Sequence, residues 1–497
     1  MMYDQGKSDP PIVPGKSPNK AGRPAAEAME GRGGAKGNAG QQRTRQTQSW
    51  VGVSQALDRI RQAARRDRKA RFTALLHHVT VDLLRWAFLQ LRRKAAPGVD
   101  GVTWAQYEAG LEENLRGLHV RVQRGAYRAW PSRRQYIPKP DGRRRPLGVA
   151  ALEDKIVQRA VVEVLNAIYE TDFLGFSYGF RPGRSQHDAL DALAVGLQRR
   201  KVNWVLDADI RAFFDSLSHT WLMRFLEHRI GDRRVLRLIG KWLKAGVLED
   251  GTWAPSEEGT PQGAVISPLL ANVYLHYVYD LWVERWRRRE ARGEMIVVRY
   301  ADDTIVGFED HACAEQFARD LAERLDRFAL TLNADKTRLI EFGRFAARDR
   351  ARRRLGKPET FQFLGFTHIC GKSRAGKFLL LRHTARTRLR ERLRQIKVTL
   401  RRNRHRPIAE QGRWLGRVVN GYFAYHAVPT NCRALNSFYR EVVRHWLRAL
   451  RRRGQRHRLT YRKMFEIAAT WLPAVRVRHP YPADRFAVRH PRWEPSA

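Results

Sequence analysis

The sequence predicts an α+β middle followed by an α-helical, strongly basic C-terminal part. Short apolar runs bounded by polar turns at 136–149, 203–210, 295–308 and 339–368 have the length and composition of strands. Between them, 152–169, 186–199 and 313–330 repeat apolar residues at helical spacing. From about residue 384 the pattern is helical alone and the charge climbs. Residues 371–497 hold 32 Lys+Arg and 6 Asp+Glu, which is +26 of the chain's +44.

That charge narrows the function. The 497 residues suffice for two or three domains, and 43% hydrophobic content is ordinary for a globular protein. The balance of 94 Lys+Arg to 50 Asp+Glu is not ordinary. Self-repulsion of this size opposes compaction. A nucleic acid relieves it, because neutralised phosphates release counterions. Cys313, Cys370 and Cys432 are too few and too scattered for a disulfide framework or a Cys-rich zinc cluster, which fits a reducing compartment. No apolar run approaches a membrane span, and the N-terminus lacks a signal peptide's apolar stretch. No membrane partner is expected, and a bacterial-type cytoplasm is.

In chain order, residues 1–49 are rich in Gly, Pro, Ser, Gln and Lys and read as a disordered tail. A helical extension follows at 50–95, its periodicity starting near Ser54 and running through Val81–Leu91. Ala96–Gly101 is a turn-rich break. Tyr136-Ile137-Pro138, the turn Lys139-Pro140-Asp141-Gly142 and Arg143–Val149 form strand, turn and strand. Leu152–Tyr169 is helical. Ser177–Arg184 is a Gly/Arg loop, and Ser185 with Asp188 resembles a cap that opens a helix over 186–199. Asn203–Ile210 is a strand. Ser267 at the cap and Pro268 at the first position start a helix running to about Trp286.

The chemistry lies in acids placed among apolar strands. Asp302 and Asp303 stand between MIVV and TIVGF, at a hairpin turn where carboxylates repel each other. A divalent cation removes that cost. Asp alone in a turn is common, but a second site shifts the balance. Asp207 and Asp209 lie inside WVLDADI, where Asp is depleted, and alternation puts them on one face. Three carboxylates on neighbouring strands suit two-metal phosphoryl transfer. Asp207 and Asp215 are better read as structural, in a cap or an ion pair.

YADD at 300–303, DADIRAFFD at 207–215 and TPQG at 260–263 resemble the palm motifs of reverse transcriptases. IPKPDGRRRPLG at 137–148 and SYGFRPGRS at 177–185 resemble the group II intron branch of that family. The likeness spans about 75–480, with the motifs in order. It implies a right-hand polymerase-like fold, with fingers and palm at 96–370 and an α-helical thumb or maturase domain at 380–455. It implies Asp209, Asp302 and Asp303 as catalytic, and these with Ile210 as the positions holding two Mg²⁺ ions. Phe214 matches the bulky residue that excludes a 2′-hydroxyl, while Phe213 is read as core. Lys139 and Arg145 match the grip on the triphosphate of a deoxynucleoside triphosphate. Gln262 matches a contact to the incoming nucleotide, and Lys336 a lysine near its phosphates. Where the family usually has a second Gly after TPQG, this chain has Ala264, whose methyl is expected to crowd a close backbone approach to template or nucleotide.

Asn420-Gly421-Tyr422-Phe423 through Val428-Pro429-Thr430-Asn431 resembles the maturase or thumb domain of intron-encoded proteins, and the Arg-rich faces around it are the part assigned to RNA. Trp414, Leu415, Val418, Val419, Tyr422, Phe423 and His426 form a stripe read as core. So do Phe438, Val442, Val443, Trp446, Leu447 and Leu450. Arg440, Arg444, Arg448 and Arg451 fall beside the latter and are the expected RNA-binding set. Arg451–Arg453 and Arg456–Arg458 are read as a phosphate-tracking cluster leading into a basic tail at 456–497. The paired Cys and His of a metal-finger endonuclease are not present, so a short intron protein is expected. The implied partners are the parent group II intron RNA, an RNA template with a DNA primer, and target DNA. The implied work is cDNA synthesis, splicing support and intron mobility. The rival readings are a splicing factor with an inactive palm and a retron- or defence-type reverse transcriptase.

Overall fold

The computed structural model describes residues 43–138, 144–454 and 459–490. Its strands are β1 (Ser132–Pro138), β2 (Arg144–Val149), β3 (Trp204–Ala208), β4 (Val247–Glu249), β5 (Thr252–Ala254), β6 (Met295–Tyr300), β7 (Asp303–Phe308), β8 (Arg338–Glu341), β9 (Phe361–Phe363), β10 (Phe366–Lys372) and β11 (Phe378–Thr384). They form three sheets, ordered β2-β1-β4-β5, β6-β7-β3-β8 and β11-β10-β9. In the central sheet β3 runs antiparallel to both neighbours, pairing Ala208 with Thr304 on one side and Asp207 with Arg338 on the other.

The centre of the core is the helix Leu152–Asp172. It carries Ile156, Val157, Ala160, Val161, Val164, Leu165 and Ile168, apolar on more than one face, and such a helix must be covered all round. The N-terminal helix Arg43–Arg66 and the helix Val81–Gln90 pack on it. Residues 43–49, expected as tail, are therefore the first turns of a helix. Arg and Gln are good helix formers, and a polar composition does not exclude a helix that packs further along. Two buried charges fasten this extension. Arg229 pairs with Asp172 at 3.0 Å and donates to the carbonyls of Asp67 and Ala70. Asp232 accepts from the backbone N–H of Leu75, Leu76 and Arg234.

Several expectations hold closely. Ser185 and Asp188 form a reciprocal capping box at the start of Gln186–Arg199. The helix starting at Ser267 is less regular than expected. Ile266 occupies the cap, while the Ser267 hydroxyl donates to the carbonyl of Pro261 at 3.0 Å. A π-helical turn, His276–Asp280, then joins it to Leu281–Arg289. The extra residue of a π turn shifts the side chains that follow, and here Asp280 is fully buried.

The C-terminal helices Arg386–Arg402, Ile408–His426, Cys432–Arg451 and Tyr461–Trp471 share one core. Leu415, Val418, Val419, Tyr422, Phe423 and His426 are buried, as are all six predicted apolar positions of 438–450. Met464, Ala468 and Leu472 are buried too, so this domain continues past the expected boundary at 455. The expected basic tail is largely folded. Its helix Pro482–Arg489 lies against Gln186–Arg199, with Arg485 3.1 Å from Asp191 and Arg489 3.6 Å from Asp188. These arginines meet acids of their own chain, a pairing that composition does not reveal. Among the described residues no helix is long and apolar enough to cross a membrane.

Candidate active site

The hairpin β6–β7 pairs Tyr300 with Asp303, leaving Ala301 and Asp302 as its two-residue loop. Ala301 adopts φ +57°. Tight hairpin turns need such left-handed backbone, and a residue with a Cβ holds it at a cost of about 1–3 kcal/mol. The turn is anchored from below. Arg299, 1% exposed, donates to the carbonyl of Ala301 at 2.9 Å. Its guanidinium forms a two-pronged pair with Asp280 at 2.7 and 2.6 Å, and reaches Asn272 and the Ser177 hydroxyl as well. A second brace comes from the Ser177–Arg184 loop. A Cβ on Gly179 would stand 2.3 Å from the Ala301 nitrogen, and Asn272 donates to the Gly179 carbonyl. Only glycine allows backbone to approach backbone so closely.

β3 delivers the third acid. Its last pair is Ala208 with Thr304, so Asp209, one residue on, emerges beside Asp303. The Asp303 carboxyl meets solvent at the rim, yet protein crowds it, and it also faces Asp302, Asp209 and Asp207. Burial first, then these charges, push it up to about 7. Burial raises Asp302 as well. Asp209 adds to that rise, while Arg145 and Lys336 oppose it. One acceptor of Asp209 is engaged, since Oδ2 receives Lys336 Nζ at 2.8 Å and Asn333 Nδ2 at 3.0 Å. The Asp209 carbonyl accepts from the Asn333 N–H.

The donor set is oxygen throughout, which suits a hard divalent cation such as Mg²⁺. Among the described residues no three acidic, imidazole or thiol side chains stand ready to hold an ion unaided.

The other predicted positions divide. Phe213 is buried and Phe214 half-buried, in edge contact with Phe180, which in turn touches Tyr300. Phe214 thus stands one ring away from the acidic turn. Gln262 donates to both oxygens of Asp215 at 3.1 Å, and its carbonyl accepts from the Gly148 N–H of β2 at 2.7 Å. Asp215 is therefore a holder of Gln262. Asp207 faces Arg338 across the sheet, and burial lifts its carboxyl to about 6. Ile210 pairs with Leu332 through bonds of Asp209 and Arg211, which leave the Ile210 carbonyl aside. Arg145 is exposed on β2, opposite Ile137. Lys139 lies outside the described residues. Ala264 is 3% exposed and lines a small internal gap with Ser132, Ala150 and Gln158. Its methyl is buried among these residues.

The four predicted RNA-binding arginines differ in their contacts within the protein. Arg440 and Arg448 are exposed. Arg444 pairs with Glu441 at 2.5 Å, and Arg451 donates to the Leu459 carbonyl at 2.8 and 2.6 Å. Arg453 likewise binds the carbonyls of Arg404 and Arg406. Loop carbonyls close to a helix end compete with phosphate for these guanidiniums. Arg456 and Arg458 lie outside the described residues.

Sequence reasoning passed over Arg299, Asp280, Gly179 and Asn333. A charged residue at the end of the apolar run MIVVRY, and an acid in the apolar helix before it, were the visible signs.

With the geometry in place, the chain can be set beside known proteins. The family model for reverse transcriptase (RNA-dependent DNA polymerase) matches residues 137–368. Protein YkfC of Escherichia coli (strain K12) is 34% identical over 323 residues, covering 58% of this chain and 84% of YkfC. Group II intron-encoded protein LtrA of Lactococcus lactis subsp. cremoris is 34% identical over 222 residues, covering 44% of this chain and 37% of LtrA. Nuclear intron maturase 2, mitochondrial, of Arabidopsis thaliana is 27% identical over 172 residues, 27% of this chain and 23% of that protein. The matched region therefore spans most of YkfC but little more than a third of LtrA. The matched span contains the hairpin of Asp302 and Asp303, the strand leading to Asp209 and the loop that braces them, and the chain belongs to the family of group II intron reverse transcriptases and maturases.

Proposed function

We propose that this protein is an RNA-directed DNA polymerase that also binds its parent group II intron RNA, promoting splicing and supporting mobility by target-primed reverse transcription. The observation that carries the reading is the meeting of Asp209 with Asp302 and Asp303 at a braced turn, with Lys336 and Arg145 as the nearby cations. A pure RNA binder has no use for clustered carboxylates facing an anionic ligand.

Asp209, Asp302 and Asp303 would hold Mg²⁺, two ions in the full reading. The chemistry that bound Mg²⁺ supplies is activation of a primer 3′-hydroxyl and stabilisation of the departing pyrophosphate. The protein's own groups do the rest. Arg145 and Lys336 neutralise the triphosphate, with Lys336 leaving Asp209 as phosphate oxygens arrive. Phe214 closes the space that a 2′-hydroxyl would need. Arg299, held by Asp280, keeps the turn from drifting, and small displacements at a reacting centre are costly. The second activity uses the basic helical part as a clamp on structured RNA, with catalysis of splicing left to the RNA.

Primer extension on an RNA template with deoxynucleotides and Mg²⁺ tests the enzyme. The wild type is expected to give product and Asp302→Ala none, while salt-sensitive binding of structured RNA survives the substitution. Extension that persists in Asp302→Ala, or a wild type that binds RNA but makes no product, overturns the polymerase reading.

A further inference from the structure

The apolar stripe of Ile408–His426 is buried at every predicted position except Trp414, which is half exposed. Trp414 lines a cleft of about 970 Å³ between this helix, the end of Arg386–Arg402 and the end of Tyr461–Trp471. That volume is at the upper end of small-molecule sites, roughly 300–1,000 Å³. A second indole, Trp471, lines it too. The position of Trp471 is set by glycine: a Cβ on Gly412 would stand 2.4 Å from the ring, and one on Gly416 would stand 2.5 Å from the Trp471 carbonyl. The rim carries Arg406, Arg413 and Arg417 against a single acid, Glu410, which sits 3.8 Å from Arg406. Arg413 and Arg417 are exposed and one helical turn apart. Among the described residues neither guanidinium bonds an acid or carbonyl of the protein, in contrast to Arg444, Arg451 and Arg453.

Two aromatic faces beside two cations one turn apart match the needs of a nucleotide. Indoles stack on any base, and guanidiniums hold the phosphate that follows. A base can lie against an indole only when it is out of its pair, so the nucleotide taken here is an unpaired one. We propose that this cleft captures an unpaired nucleotide of RNA, its base against Trp414 and Trp471 and its phosphate on Arg413 and Arg417. The proposal rests on the RNA-binding half of the function above and deepens it. The exposed Arg440 and Arg448 lie on another helix, Cys432–Arg451.

Fluorescence anisotropy on the full chain tests it, with a labelled oligouridylate and an RNA duplex of the same length as probes. Trp414→Ala is expected to weaken the single strand about 5- to 150-fold, the loss of one stacked base, and to leave the duplex unchanged. Arg413→Glu with Arg417→Glu guards against a folding defect, since both are surface residues. It is expected to flatten the salt dependence for the single strand by roughly 0.7 per phosphate lost, with a wild-type melting curve. Photocrosslinking of a 4-thiouridine oligonucleotide should map to residues 399–420 or 470–473. Crosslinks confined to other segments, equal losses on both probes, or single-strand binding indifferent to both variants overturn the cleft. Primer extension run in parallel separates the readings. Intact extension with indifferent RNA binding sinks the cleft alone, while absent extension with cleft-dependent binding sinks the polymerase alone.

Discussion

Asp280→Asn tests whether the acidic turn is held from below. Asp280 is 0% exposed and Arg299 1%, and their two-pronged pair is the strongest contact beneath Ala301. The amide keeps the shape and one acceptor but removes the charge and the second acceptor, so the guanidinium stays in the interior without a counter-ion and with an NH2 facing one of its N–H groups. Breaking one partner of a buried pair costs about 3–5 kcal/mol, a large part of the roughly 5–15 kcal/mol that holds a domain together. Urea unfolding followed by circular dichroism measures the loss. Primer extension, run where both proteins are folded, measures the second consequence, an acidic turn no longer fixed. The double change Asp280→Leu with Arg299→Met separates the two. Removing both charges together recovers most of the stability but leaves Ala301 without its donor, so extension stays low. An Asp280→Asn protein within about 0.5 kcal/mol of wild type, the scale of an ordinary surface substitution, would refute the reasoning. So would full extension by the double variant.

Three further outcomes follow from the same geometry. Gly179→Ala places a methyl where the Ala301 nitrogen stands 2.3 Å away, and backbone cannot yield cheaply. Overpacking of about 1–3 kcal/mol and a loss of extension larger than the loss of folded protein are expected; wild-type extension contradicts this. Phe214→Ala should raise ribonucleotide over deoxynucleotide incorporation by about 10- to 200-fold, the worth of one steric contact, and an unchanged ratio contradicts the assignment. Burial acting alone would raise Asp232, but the N–H groups of Leu75, Leu76 and Arg234 outweigh it and hold the carboxyl at about 2. A pKa depressed on folding contributes stability that is whole above the unfolded value of about 3.9 and fades as pH falls toward 2. The gap in urea midpoint between wild type and Asp232→Asn should therefore close between about pH 4 and pH 2, and a constant gap counts against the cap.

Local signals were the legible ones. The hairpin of Asp302 and Asp303, the capping box of Ser185 and the helical face at 438–450 each depend on a few adjacent residues, and each stands where expected. What was lost depends on distance along the chain. Lys336 meets Asp209 across 127 residues, and Arg382 meets Asp191 across 191; no periodicity announces such pairs. β4 and β5 have three residues each, too short for alternation to register. β11 reads LRHT at its end, where a buried arginine breaks the apolar pattern. The C-terminal arginines read as phosphate contacts and a basic tail because composition alone cannot tell phosphate from an acid on another helix.

Iron-directed cleavage is the most direct measurement of the central claim. Fe²⁺ is exchanged for Mg²⁺ in the complex with primer, RNA template and a deoxynucleotide, and ascorbate and peroxide are added, so that hydroxyl radicals cut the chain beside the ion. The account predicts two sets of fragments, one ending near residue 209 and the other near 302–303, both suppressed by excess Mg²⁺. Cuts at only one of these places, or cuts that ignore Mg²⁺, would contradict it.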